Sequence, residues 1–136
     1  MKAITLWQPW ATLIAHGFKT IETRTHNHFA CLKGQRIAIH AGKTWDGAGD
    51  MTAARALFQR GRAVLNATKD LPMPHGVVVC TAFVQDARPL KGDADSDAAL
   101  CHADGLYGLI LTDIEPLDPP VPARGHQGIW EWEGAA

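Results

Sequence analysis

Negative charge is nearly missing from the first third of this chain: from residue 1 to 45 only Glu22 is acidic, against six basic side chains, Lys2, Lys19, Arg24, Lys33, Arg36 and Lys43. Long apolar runs are missing too. No stretch approaches the roughly 18 residues that a membrane helix needs, so no membrane partner is expected. Cysteine is scarce, and Cys31, Cys80 and Cys101 are an odd three whose spacing fits no zinc-ligand pattern. That argues against a disulfide scaffold and for reduced thiols. The start Met1-Lys2-Ala3-Ile4 reaches Pro9 without the charged, apolar and small-residue zones of a signal peptide, which leads us to expect a cytoplasmic protein. Phosphate-loop, dinucleotide, metalloprotease and nucleophile-elbow motifs are absent, so NTP hydrolysis, Rossmann redox chemistry and α/β-hydrolase chemistry have no support, and no cofactor is expected.

What the sequence does contain is enough for one core. Its 136 residues are 46% apolar and carry no low-complexity linker, which predicts a single domain over 1–136. The net charge of −1 hides an asymmetry of +5 up to residue 45 and −6 thereafter, with acids gathered at Asp93, Asp95, Asp97 and Asp104. An anionic ligand would prefer the first third.

Lys2 to Leu6 reads as a short strand, followed by a short helix with Pro9 at its first position, Trp10, Leu13 and Ile14 on one face and Gly17 as a left-handed cap. Lys19 to Arg24 reads as a second strand. Arg36 to Ala41 alternates as a half-buried strand, with Ile37, Ile39 and Ala41 on the core side and His40 facing solvent or a cleft. Asp50 can cap a second helix of about 15 residues in which Met51, Leu57, Phe58, Gly61 and Leu65 recur at helical spacing. Gly76 to Val84 and Leu106 to Leu117 are apolar on both faces, as central strands would be, the latter ended by Pro116 and the Pro119-Pro120 pair. Lys91 to Asp104 reads as an acidic, mobile loop and Gln127 to Glu133 as a last strand. Five or six short strands with two helices favour an α+β domain built on a closed or nearly closed barrel.

Chemistry is concentrated in Leu6 to Arg24, LWQPWATLIAHGFKTIETR. Trp7 and Trp10 flank the start of the helix, where an indole can stack a base, although core packing serves such residues equally well. Gln8, between them, either caps the helix or reads a base edge. Lys19, Glu22 and Arg24 place one acid between two bases. On a regular strand Glu22 and Arg24 share a face, and Lys19 joins them only if it belongs to the preceding turn. Converging in a cleft, the three would clamp phosphate or perturb a catalytic pKa; spread on a surface, they are an ordinary ion-paired strand. The group His26, His28 and Cys31 has the look of metal ligands but lies in a polar loop, and no metal is assigned to it.

The run GFKTIETR fits the GxKxxExR pattern of the ASCH family, and LWQPWA resembles the opening of many bacterial and phage members. RIAIHAGK (Arg36 to Lys43) and GHQGIWEW (Gly125 to Trp132) are similar to that family's second core strand and its last. The resemblance implies a PUA-like small β-barrel of five to six strands, with two or more helices packed at its ends. It also implies a cleft beside the first helix that takes single-stranded RNA or a modified nucleoside or nucleotide. Carried onto this sequence, the ligand-binding residues would be Trp7, Gln8, Lys19, Glu22, Arg24, His40, Lys43, Gln127 and Trp130. Some small members are instead amidohydrolases of N4-acylated cytidine-type nucleosides, and others have been proposed as ribonucleases. The hydrolase subgroup places a threonine nucleophile three residues after the motif lysine, where this chain has Glu22. An enzyme here would rely on Lys19 and Glu22 as its catalytic acid–base pair.

Overall fold

The computed structural model describes residues 1–45 and 57–134. Strand β1 (Lys2–Gln8), helix α1 (Trp10–Ala15), strand β2 (Ile21–Arg24) and a 3-10 turn (Ala30–Leu32) lead into strand β3 (Arg36–Trp45). Helix α2 (Gln59–Ala67), strand β4 (Val77–Pro89), helix α3 (Gly92–Ala99), strand β5 (Tyr107–Pro122) and the short strand β6 (Trp130–Glu131) follow. The six strands form one sheet in the order β2-β5-β4-β3-β1-β6. Only β1 and β3 pair in parallel, from Ala3 opposite Ala38 to Gln8 opposite Trp45. The α+β expectation holds, but the sheet is not closed into a barrel: β2 and β6 are its two edges. Bulges in the β4–β5 ladder near Val78, Thr81 and Val84 bend the long strands, as extra residues in a ladder do.

Helix α1 forms where its punctuation indicated. Gly17 adopts a left-handed φ of 81° and donates its N–H to Ile14, while Phe18 reaches back to Leu13. The helix seals one face of the sheet: Ile14 joins Ile4, Ile37, Ile39, Val79 and Leu111 in the main core cluster. Each such side chain contributes about 1.5–3 kcal/mol when fully buried.

Strand β3 departs from the half-buried expectation. Its other face, at Ala38, is buried as well, under a cluster with Ala3 and Val78 against which Leu117, Ala123, Trp130 and Trp132 pack. Small alanines on β1 and β3 leave room for two indoles, so the last segment closes over what alternation alone marks as an outer face. Only Trp130 and Glu131 of the expected last strand are in strand conformation. Strand β5 runs on through Pro116, Pro119 and Pro120 to Pro122. Prolines survive there because β2 pairs only with Tyr107 to Ile110, so a proline's missing donor can face an edge that no strand among the described residues occupies.

The helical reading from Met51 onward is corrected at Leu57 and Phe58, which are extended; Leu57 bridges to Cys101 and the helix starts at Gln59. Asp50 and the earlier turns lie outside the described residues. The acidic loop is corrected too, because α3 occupies most of it. Asp95 accepts both guanidinium N–H groups of Arg88, at 2.8 and 2.9 Å, and the N–H of Lys91 at 2.9 Å. Those bonds, the Arg88 pair first, hold the Asp95 carboxyl down at about 2.

Gly61 sits where α2 meets the end of α3, and a Cβ there would lie 2.1 Å from the Leu100 carbonyl oxygen. Glycine to alanine inside a helix is ordinarily stabilising by roughly 0.5–1 kcal/mol. Here the sign reverses, because backbone cannot step aside as a flexible side chain can. Gly61→Ala is expected to lose about 1–3 kcal/mol in urea unfolding, the usual cost of overpacking; a gain in stability would refute this account of the contact.

Candidate functional site

Lys19 belongs to the turn after α1, not to a strand, and its side chain is only 3% exposed. Its ammonium donates to the Ala99 carbonyl at 2.6 Å and lies 5.4 Å from the centre of the Trp10 ring. Among the described residues no ion pair joins it to Glu22, and it is not among the described lining of the cavity that Glu22 and Arg24 share. The expected three-way convergence therefore reduces to two. Glu22 and Arg24, two apart on β2, both line a cavity of about 170 Å³ with Thr5, Leu6, Trp7 and Trp10. Glu22 accepts the Thr23 N–H on Oε1 at 2.9 Å, while its Oε2 and the Nε of Arg24 are buried without a hydrogen-bond partner among the described residues. The Arg24 guanidinium carbon lies 4.5 Å from the centre of the Phe29 ring.

Gln8 is fully buried and its amide serves the helix. Oε1 accepts the Thr12 N–H at 3.0 Å, and Nε2 donates to the Thr12 hydroxyl and to the Pro74 carbonyl, each at 2.7 Å. Of the two roles open to this glutamine, capping is the one the structure displays, since its Oε1 takes up the Thr12 N–H in the first turn of α1. Trp7, by contrast, is 52% exposed.

Alongside the small cavity runs a cleft of about 1120 Å³. Trp7, Arg24, Lys43 and Gln127 line it, as the sequence led us to expect, together with Arg124, His26, His28 and His126. No aspartate or glutamate is found among its described lining residues. The rings of His26 and His28 stack at 4.2 Å, and Cys31 turns its thiol to the His28 carbonyl. Among the described residues no group of three His, Cys, Asp or Glu side chains is placed to hold a metal.

His40 also borders the cleft but is 2% exposed, not solvent-facing. Its Nε2 is 2.7 Å from the Ala123 carbonyl, which can only accept, so that nitrogen carries the proton. Nδ1 then accepts from the Thr5 hydroxyl at 3.3 Å, and Thr5 in turn accepts the Trp130 indole N–H at 3.1 Å. Trp130 lies edge-on to His40 and His126, supporting the wall from behind. Gly125 covers this group so closely that a Cβ would lie 2.5 Å from the His40 ring.

Three solved structures share this architecture. The crystal structure of ASCH from Zymomonas mobilis superposes with a TM-score of 0.59 at 16% identity, covering 98% of this chain and 87% of that one. Two single-site variants of the same protein superpose with TM-scores of 0.58 and 0.57 at 16% and 15% identity, each covering 98% of this chain and 88% and 90% of theirs. This chain has the ASCH fold. No protein-family model matches the sequence, and no curated protein matches it. The PUA-like expectation is thus met at the level of the fold. Within the ASCH fold the segments quoted from the sequence occupy β2 and its preceding turn, β3, and the approach to β6.

Arg124, His126, His26 and His28 are cleft residues that pattern reading left aside. Arg124 stands one position before the GHQGIWEW segment, and a lone arginine in a proline-rich stretch carries no periodic signal.

Burial, partly offset by the bond to Ala123, lowers the His40 pKa below its ordinary 6.5, and neighbouring His126 lowers it further. The folded state therefore binds fewer protons than the unfolded one between the two values. The stability His40 contributes is complete above pH 6.5 and is lost as pH falls through that window toward the folded pKa. Thermal unfolding of wild type should show this decline on acidification and His40→Gln should flatten it; equal pH slopes for the two would contradict the buried neutral imidazole.

Proposed function

We propose that the cleft binds single-stranded RNA or a modified nucleotide. The observation that carries this reading is the composition of the walls: three fixed cations, Arg24, Lys43 and Arg124, four histidines, His26, His28, His40 and His126, and no carboxylate among the described lining residues. Such a groove concentrates positive potential on a chain whose net charge is −1. Trp7 offers an exposed indole at the junction of cleft and small cavity, where a base can stack.

The small cavity accounts for an acid beside a polyanion site. Glu22 Oε2 supplies a free acceptor and Arg24 Nε a free donor, a pair that complements a base edge offering a donor next to an acceptor. Leaving such groups buried and unmatched costs roughly 1–3 kcal/mol each, which a fitting base restores. Phosphate belongs in the larger cleft, and Glu22 reads the base.

A hydrolase acting on N4-acylated cytidine-type nucleosides, or a ribonuclease, is the second reading. One observation favours it: a buried carboxylate oxygen without a partner can take a proton from water. Lys19, whose ammonium donates to the Ala99 carbonyl, would then position the site.

Affinity for short single-stranded RNA is expected to fall with salt, log Kd changing by about 0.7 per phosphate neutralised for each unit of log salt. Arg124→Ala and Lys43→Ala should each weaken binding and reduce that slope by about one contact's worth while leaving Tm unchanged. A flat slope, or no binding at low salt, removes the reading. Turnover of acylated cytidines or RNA by wild type, abolished in Glu22→Gln, would establish the hydrolase instead.

A further inference from the structure

A second cavity of about 80 Å³ adjoins the cleft, walled by Pro89, Tyr107 and Leu109, with Phe29, Arg24 and His26 at the side it shares with the cleft. Its walls are mainly apolar and aromatic, which suits a flat ring. Tyr107 is the chain's only tyrosine, and the mechanism of the first site gives it no task. Among the described residues that line the small Trp7–Trp10 cavity, the cleft and this second cavity, Arg24 alone lines all three. It does so with Nε buried and unpartnered and with its guanidinium fixed over the Phe29 ring.

This arrangement has the form of a repeating polymer. In single-stranded nucleic acid, two neighbouring bases are separated by one phosphodiester. Here two ring-sized cavities are separated by one arginine, the side chain whose planar fork of donors suits phosphate oxygens. We infer that the Phe29–Tyr107 cavity is a second base subsite, and that the ligand is at least a dinucleotide, splayed so that its two bases enter the two cavities and the phosphodiester between them lies on Arg24. This rests on the nucleotide-binding reading of the cleft and extends it. A single nucleoside would leave the second cavity unused.

The test compares a nucleoside 5′-monophosphate with a dinucleoside monophosphate of the same base, binding measured by calorimetry to wild type, Tyr107→Ala and Ala30→Trp. Ala30 is exposed and lines only the second cavity of the three, so a tryptophan there fills it without touching the Trp7–Trp10 pocket. Wild type should bind the dinucleotide about 5- to 150-fold more tightly, the worth of one stacked base. Both variants should lose that gain and keep wild-type affinity for the mononucleotide. Equal affinity for the two ligands in wild type, or a gain that survives in Ala30→Trp, would overturn the second subsite and leave the cleft reading standing. No binding of either ligand would overturn both.

Discussion

A lysine ammonium removed from water must find electron density, and Lys19 finds it in the Ala99 carbonyl and the Trp10 ring. That one placement orders much of what surrounds it. It ties the turn after α1 to the last carbonyls of α3, where the helix dipole favours a cation. It also sets the phase of β2, so that Glu22 and Arg24, rather than Thr23, line the small cavity. The lysine of the motif thus holds the site together from behind. Removing its ammonium would expose a defect in the fold, with a charge-assisted bond worth about 1.5–3 kcal/mol at stake.

The opposite wall depends on a different bond chain, from the Trp130 indole through the Thr5 hydroxyl to His40 and on to Ala123. It pins the segment carrying Arg124 and His126 against β1 and β3. The two walls come from residues more than eighty positions apart, and the cleft between them collects the basic first third together with a basic residue from the acidic remainder. Net charge along the chain pointed to the region that lines the cleft, yet it gave no sign of that one arginine.

Where a residue's role follows from its immediate neighbours, the sequence was legible. The α1 punctuation, the apolar β4 and the shared face of Glu22 and Arg24 all depend on spacing within a few positions, and they formed as read. Roles set by distant chain were not legible. Gln8 was open between cap and base reader until Pro74 supplied the acceptor that completes its bonding. His40 alternated outward on its strand, but Trp130 and Gly125 of the final segment cover it. Asp95 looked like one acid in a solvated run until Arg88, seven residues earlier, turned that run into a helix held by a fork of two hydrogen bonds.

The prolines of β5 have a consequence outside the cleft. Past Ile110 the strand presents a long flank to which β2 contributes no partner, the kind of exposed ladder on which a foreign strand can assemble. Pro116, Pro119, Pro120 and Pro122 delete four backbone donors from that stretch, and Asp113, Glu115 and Asp118 add charge of one sign. An incoming strand would meet gaps where it needs hydrogen bonds and repulsion where it brings carboxylates. Such a flank is a poor template for an added strand, even though the sheet stays open.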